Sequence, residues 1–156
     1  MNSSVLVAMV NAAFAKDAAS TPAITLRGGD ALDSYNEAPS FDPSLDTITD
    51  GYLEQYAGGL TFLDAESWRH YLPHLIEYIV RHVEHDTDVC DALLNNLRPP
   101  DRQPPRLASL SRDQEKAVVE FLDLLAFTES SPHQDFACQV LEEWWVPGAL
   151  YRVRAK

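Results

Sequence analysis

Apolar residues recur along this chain at helical spacing, and nowhere do they alternate for more than a few residues. The densest stretch is 60–83, LTFLDAESWRHYLPHLIEYIVRHV. In it Leu75, Ile76, Ile79, Val80 and Val83 fall at i, i+1, i+4, i+5 and i+8, one stripe of a 3.6-residue helix. Trp68 and Leu72 carry the stripe backwards. Asp64 is placed to accept from unpaired backbone N–H groups one turn on, and Glu66 adds negative charge at that positive helix end. Pro73 removes a donor and pushes Leu72 out of the helical region. The pattern therefore predicts two helices, over 65–71 and from Pro73 onward, joined at a stop or kink.

The same period marks the other elements. A first helix, capped by Ser3 or Ser4, buries Leu6, Val10, Ala13 and Phe14 and ends before Thr21-Pro22. Ile24–Leu26 forms either a short extended piece or a helix start capped by Thr25, with Gly28-Gly29 weakening both choices through backbone entropy. Residues 30–35 make a helical turn, and 36–46, with Pro39 and Pro43, an irregular loop. Thr47 or Thr49 caps a helix through Tyr56, which Gly58-Gly59 ends. Residues 86–88 supply caps for a helix over 89–97 with Val89, Ala92, Leu93 and Leu97 inward. Arg98–Arg106, RPPDRQPPR, carries four prolines and predicts an extended internal linker.

Ser111 and Gln114 make a capping box, and Ala117, Val118, Phe121, Leu122 and Leu125 line the helix behind it. Ser131 caps a last helix with Pro132 at its first position and Phe136, Ala137, Val140, Leu141, Trp144 and Trp145 on its face. The sum is an all-α fold: a compact bundle of six to eight short helices in a single domain spanning 1–156, with room for one minor strand pair near the N-terminus.

Composition narrows the class. A chain of 156 residues and 17.4 kDa that is 46% hydrophobic has enough apolar surface for one full core. No apolar run is long enough to span a bilayer. Val5–Ala15 ends in Ala-Phe-Ala, yet no Lys or Arg precedes it, so it predicts a cytoplasmic helix rather than a secretory signal.

Charge adds a functional clue. Before Arg98 there are 15 carboxylates against 4 lysines and arginines, a net −11; from Arg98 onward there are 9 against 8, which completes the net −12. Nine of the carboxylates fall between Arg27 and Arg69 with no basic residue among them. Such a surface repels nucleic acid and anionic lipid. It attracts a basic protein partner, or simply keeps the protein soluble. The sequence candidates for partner binding are Asp42, Asp46, Asp50 and Glu54, spaced every four residues, with Trp145 and Tyr151 as aromatic anchors near the C-terminus. An EF-hand starting at Asp46 fails, because Ile48 and Ala57 stand where ligands are needed.

Candidate chemistry is sparse. His70, His74 and Glu77 have the spacing of metal ligands on one helix face, although Pro73 between the histidines is expected to spoil it. A small metal-dependent enzyme using these three residues is the alternative to a non-enzymatic binding module. Cys90 and Cys138 are too few for a metal knuckle, and no serine sits in a nucleophile elbow. No cofactor is expected.

Two stretches, FLDAESWRHYLP (62–73) and LSRDQEKAVVEFL (110–122), resemble the signatures of an uncharacterised bacterial family, a domain of unknown function, over about residues 25–127. The resemblance implies a small cytoplasmic bacterial protein and brings no catalytic residues with it. Some small acidic helical proteins of this kind are antitoxin-like or immunity-like, which is an analogy of fold and charge, and a non-enzymatic immunity-like or adaptor-like module is the function expected here.

Overall fold

A computed structural model of the chain describes residues 2–101 and 105–152. Eight α-helices occur among them: α1 (Ser3–Ala13), α2 (Ala15–Ala19), α3 (Leu26–Asp33), α4 (Asp50–Tyr56), α5 (Ala65–Arg81), α6 (Asp88–Asn96), α7 (Arg112–Phe127) and α8 (Gln134–Val140). Two 3-10 turns, Ala57–Phe62 and Leu107–Ser109, and a π-helical turn, Leu141–Trp145, complete the regular structure.

The starts of the helices follow the side chains that can accept from their first amides. Asn2, Thr25, Thr49, Asp64, Thr87 and Ser111 each accept a backbone N–H three residues on. Ser111 and Gln114 form the reciprocal capping box that their spacing predicts. At the N-terminus Asn2 takes the role expected of Ser3 or Ser4. Ile24–Leu26 is a helix start, with the Thr25 hydroxyl 2.8 Å from the Gly28 amide. No strand is present among the described residues, so the minor strand pair gives way to α3.

Helix α5 is the centre of the molecule. It packs against α1, α2 and α6, and 11 of its 17 side chains are buried, so it faces protein on nearly every side. That explains why Pro73 does not break it. A mid-helix proline costs about 3 kcal/mol, whereas each large apolar side chain buried around it returns about 1.5–3 kcal/mol. Trp68, Tyr71, Leu72, Leu75 and Ile76 are all enclosed. The stop expected at Leu72-Pro73 is absent, and His70 and His74 share one continuous helix.

The remaining elements wrap this axis. Helix α1 is sandwiched between α5 and α7, and α7 packs on α8. Asp17 of α2 ties three elements together: its carboxylate accepts from Arg69 of α5 and Gln114 of α7, and its carbonyl accepts from His70.

The glycine pairs have a packing role. Helix α3 lies on the 3-10 turn Ala57–Phe62 so closely that a Cβ on Gly29 would collide with the Gly59 carbonyl, and one on Gly59 with the Leu26 carbonyl. Gly58-Gly59 therefore does not end α4 as a C-terminal stop. The chain runs straight on into the 3-10 turn.

The proline-rich segment is anchored at both described ends. Arg98 pairs with Glu143 at 2.8 Å. Arg106 is buried and donates to the carbonyls of Thr61 at 2.8 Å and Leu60 at 3.2 Å. The Asp101 carboxylate accepts from the amides of Arg106, Leu107 and Ala108.

Candidate functional site

The C-terminal end of α5, the loop after it and the first turn of α6 enclose a cleft of about 260 Å³ against α4. It is lined by Glu54, Tyr78, Asp86, Thr87, Asp88 and Val89. Tyr78 forms one wall. Burial, then the adjacent Glu54 charge and hydrogen bond, push its phenol above the ordinary value, so the ring stays neutral. His82 stacks on Tyr78 with 4.2 Å between ring centroids and hydrogen-bonds the Tyr78 carbonyl at 2.8 Å.

Arg81 lies over the Tyr78 ring but is engaged by other acids. It holds Asp50 through two contacts of 2.7 and 3.0 Å and Glu77 through a third of 2.8 Å. Its pKa is raised by the hydrogen bonds to Asp50 and Glu77. No lysine or arginine among the described residues pairs with Glu54, Asp86 or Asp88. The cleft thus presents three carboxylates and an aromatic wall, a composition suited to a lysine or arginine side chain.

Behind the cleft, the turn Thr128–His133 brings α8 to the start of α6. The Ser131 hydroxyl accepts from the His133 amide, so the helix begins at Gln134, two residues later than the Ser131-Pro132 pattern predicts. The buried His133 imidazole points one nitrogen at each of two aspartates. Its Nε2 is 3.4 Å from Asp86 Oδ1, and its Nδ1 is 3.4 Å from Asp91 Oδ1. The Thr87 amide is directed at Nε2 from 3.4 Å.

A second concavity, about 380 Å³ and mostly apolar, is lined by Pro99, Pro100, Asp101, Trp144 and Tyr151.

With the fold and both clefts described, the sequence can be placed among known proteins. It matches the family of unknown function DUF6714 over residues 2–149. The chain belongs to DUF6714. No curated protein and no solved structure matches it.

In this DUF6714 member the sequence candidates do not form one surface. Asp46 is 3% exposed and is held by Arg27, whose guanidinium donates to both carboxylate oxygens at 2.9 and 3.0 Å, and by the Tyr52 hydroxyl at 2.8 Å. Burial alone would raise its carboxyl. The hydrogen bonds from Arg27, the Asp42 amide and Tyr52 outweigh that and hold it below the usual range. Asp42 is also lowered, first by the Ser44 hydroxyl and amide. Asp50 is neutralised by Arg81. Of the four, Glu54 alone lines the acidic cleft.

Trp145, expected as a surface anchor, is 6% exposed and donates its indole N–H to the Leu97 carbonyl at 2.9 Å. The π turn Leu141–Trp145 follows α8, and Trp144 rather than Trp145 lines the apolar concavity with Tyr151. Tyr151 is exposed.

His70, His74 and Glu77 stay neighbours on α5, with the two imidazole centroids 6.0 Å apart, but two of the three are engaged by other groups. His70 is bound to the Asp17 carbonyl at 3.0 Å, and Glu77 is engaged by Arg81. Burial, reinforced by His70 and opposed by Glu77, lowers the pKa of His74. Among the described residues the one cluster with metal-ligand spacing is Asp86, Asp91 and His133. Sequence reasoning missed it because His133 lies 42 positions beyond Asp91 and because Asp86 falls in the stretch 86–88 that reads as helix caps. No helix among the described residues is long and apolar enough to cross a membrane.

Proposed function

We propose that this DUF6714 protein is a non-enzymatic interaction module that docks a basic segment of a partner protein, with the cleft at Glu54, Asp86 and Asp88 as the anchor point. An immunity-like or adaptor-like role is one form of this. The observation that carries the reading is a concave site with three carboxylates and, among the described residues, no lysine or arginine partner, on a chain of net charge −12. Like charges concentrated in a cleft focus field and accelerate capture of an opposite charge. The metal-dependent enzyme at His70, His74 and Glu77 has no comparable support, since two of the three side chains are committed to other partners.

The test is fluorescence anisotropy with labelled lysine- and arginine-rich peptides. The expected result is binding that weakens steeply with salt and at least tenfold in Glu54→Gln/Asp86→Asn/Asp88→Asn. Equal binding by that variant, or no binding of any basic peptide at low salt, overturns the reading.

A further inference from the structure

We propose that Asp86, Asp91 and His133 form a binding site for a divalent transition-metal ion of the zinc class, clamping the start of α6 to the start of α8. One oxygen from each aspartate and one ring nitrogen lie within 4.8 Å of one another. Ligands about 2.0–2.2 Å from a tetrahedral ion stand about 3.3–3.6 Å apart. The two closest nitrogen–oxygen separations are already 3.4 Å. They use different ring nitrogens, so one ion takes a single nitrogen and draws both carboxylates toward it. The side chains that must move are the accessible ones: Asp86 is 77% exposed and Asp91 49%, while His133 is fixed at 6%.

The same separations argue against a simple hydrogen-bonded triad. A charge-assisted N–H···O bond closes to about 2.7–2.9 Å, and neither carboxylate has closed on the imidazole. The Thr87 amide donates a long hydrogen bond of 3.4 Å to Nε2, which leaves Nδ1 the freer ring nitrogen. Only one of the two 3.4 Å separations can lie across a common ion, and the second carboxylate, whose oxygen is within 4.8 Å of the same ligand atoms, must swing in to complete the set. An imidazole in the set selects zinc, nickel or cobalt over magnesium and calcium, which prefer all-oxygen shells. Three protein ligands leave a fourth position open to water or to an incoming donor.

The site shares only Asp86 with the docking proposal, and a titration without any partner tests it alone. Full-length protein stripped with a chelator and then dialysed is titrated with zinc and, separately, with magnesium, by calorimetry and thermal melting. One zinc ion per chain, a raised Tm and no response to magnesium are expected. Asp86→Asn and Asp91→Asn should each weaken zinc at least tenfold with the apo melting temperature little changed, and His133→Gln should abolish binding. His74→Gln, a control at a histidine outside the cluster, should leave it intact. Absence of saturable zinc binding, or binding indifferent to both aspartate variants, overturns the proposal. So does loss of binding in His74→Gln with retention in Asp91→Asn.

Discussion

Asp46 shows how much a single side chain can organise. It closes the 36–46 loop by accepting from its own loop amide at Asp42, from Arg27 of α3 and from Tyr52 of α4. Removing one partner of such a buried pair leaves the other uncompensated. Asp46→Asn is therefore expected to cost about 2–4 kcal/mol, read from urea unfolding at pH 7. The sign of its pH dependence follows from its lowered pKa. The stabilisation is fully present above the unfolded carboxyl value of about 3.9, and it is lost as pH falls from there through the lower folded value. The difference between wild type and Asp46→Asn should shrink below about pH 4; a constant difference down to pH 2 would show that the charge contributes nothing.

Cys90 presents the opposite case. Burial, then the charges of Asp91 and Asp86, push its thiol up to about 12, so it should resist maleimide at pH 7.5 until the protein unfolds, while the half-buried Cys138 reacts first. The role of Asp46 could not be read from the sequence. A spacing of four among Asp42, Asp46, Asp50 and Glu54 does not say which carboxylate an arginine from 19 residues upstream will claim.

At the scale of elements, local signals located most helices, and packing decided the rest. The capping box at Ser111, the caps at Thr49 and Asp64 and the stripe on α7 were legible because they depend on neighbours three or four residues away. Pro73, the Gly28-Gly29 pair and the π turn at Leu141–Trp145 were not, because each is settled by an element distant in sequence. The glycines give a paired test. Alanine in place of a helical glycine ordinarily stabilises by about 1 kcal/mol. Gly29→Ala should reverse that sign and cost about 1–3 kcal/mol through overpacking against Gly59. Gly58 has open space around its Cβ position, so Gly58→Ala should be neutral or slightly stabilising. Thermal melts of the two variants decide it: equal shifts would mean that the α3 contact yields more easily than its geometry implies.

For the whole molecule the question is whether net charge or internal ion pairs dominate. Arg27, Arg69, Arg81, Arg98 and Arg152 each hold a carboxylate, and Arg106 is buried against backbone carbonyls. Lys16, Arg112 and Lys116 have no carboxylate partner among the described residues, far too few cations to offset the remaining surface acids of a chain with net charge −12. Self-repulsion among those acids opposes the compact state. Salt shortens its reach, to about 10 Å at 0.1 M and about 3 Å at 1 M. Salt also weakens exposed bridges such as Arg81–Asp50, but exposed pairs contribute only about 0–1 kcal/mol each. Repulsion should therefore win, and Tm at pH 7.5 should rise as sodium chloride goes from about 0.05 to 0.5 M. Near the sequence pI of about 4.6 the net charge vanishes, and the same salt increase should leave Tm flat or lower it as only the bridges respond. A fall in Tm with salt at pH 7.5 would mean that the arginine pairs outweigh the surplus acids, and the attraction for a basic partner would then have to come from the cleft alone.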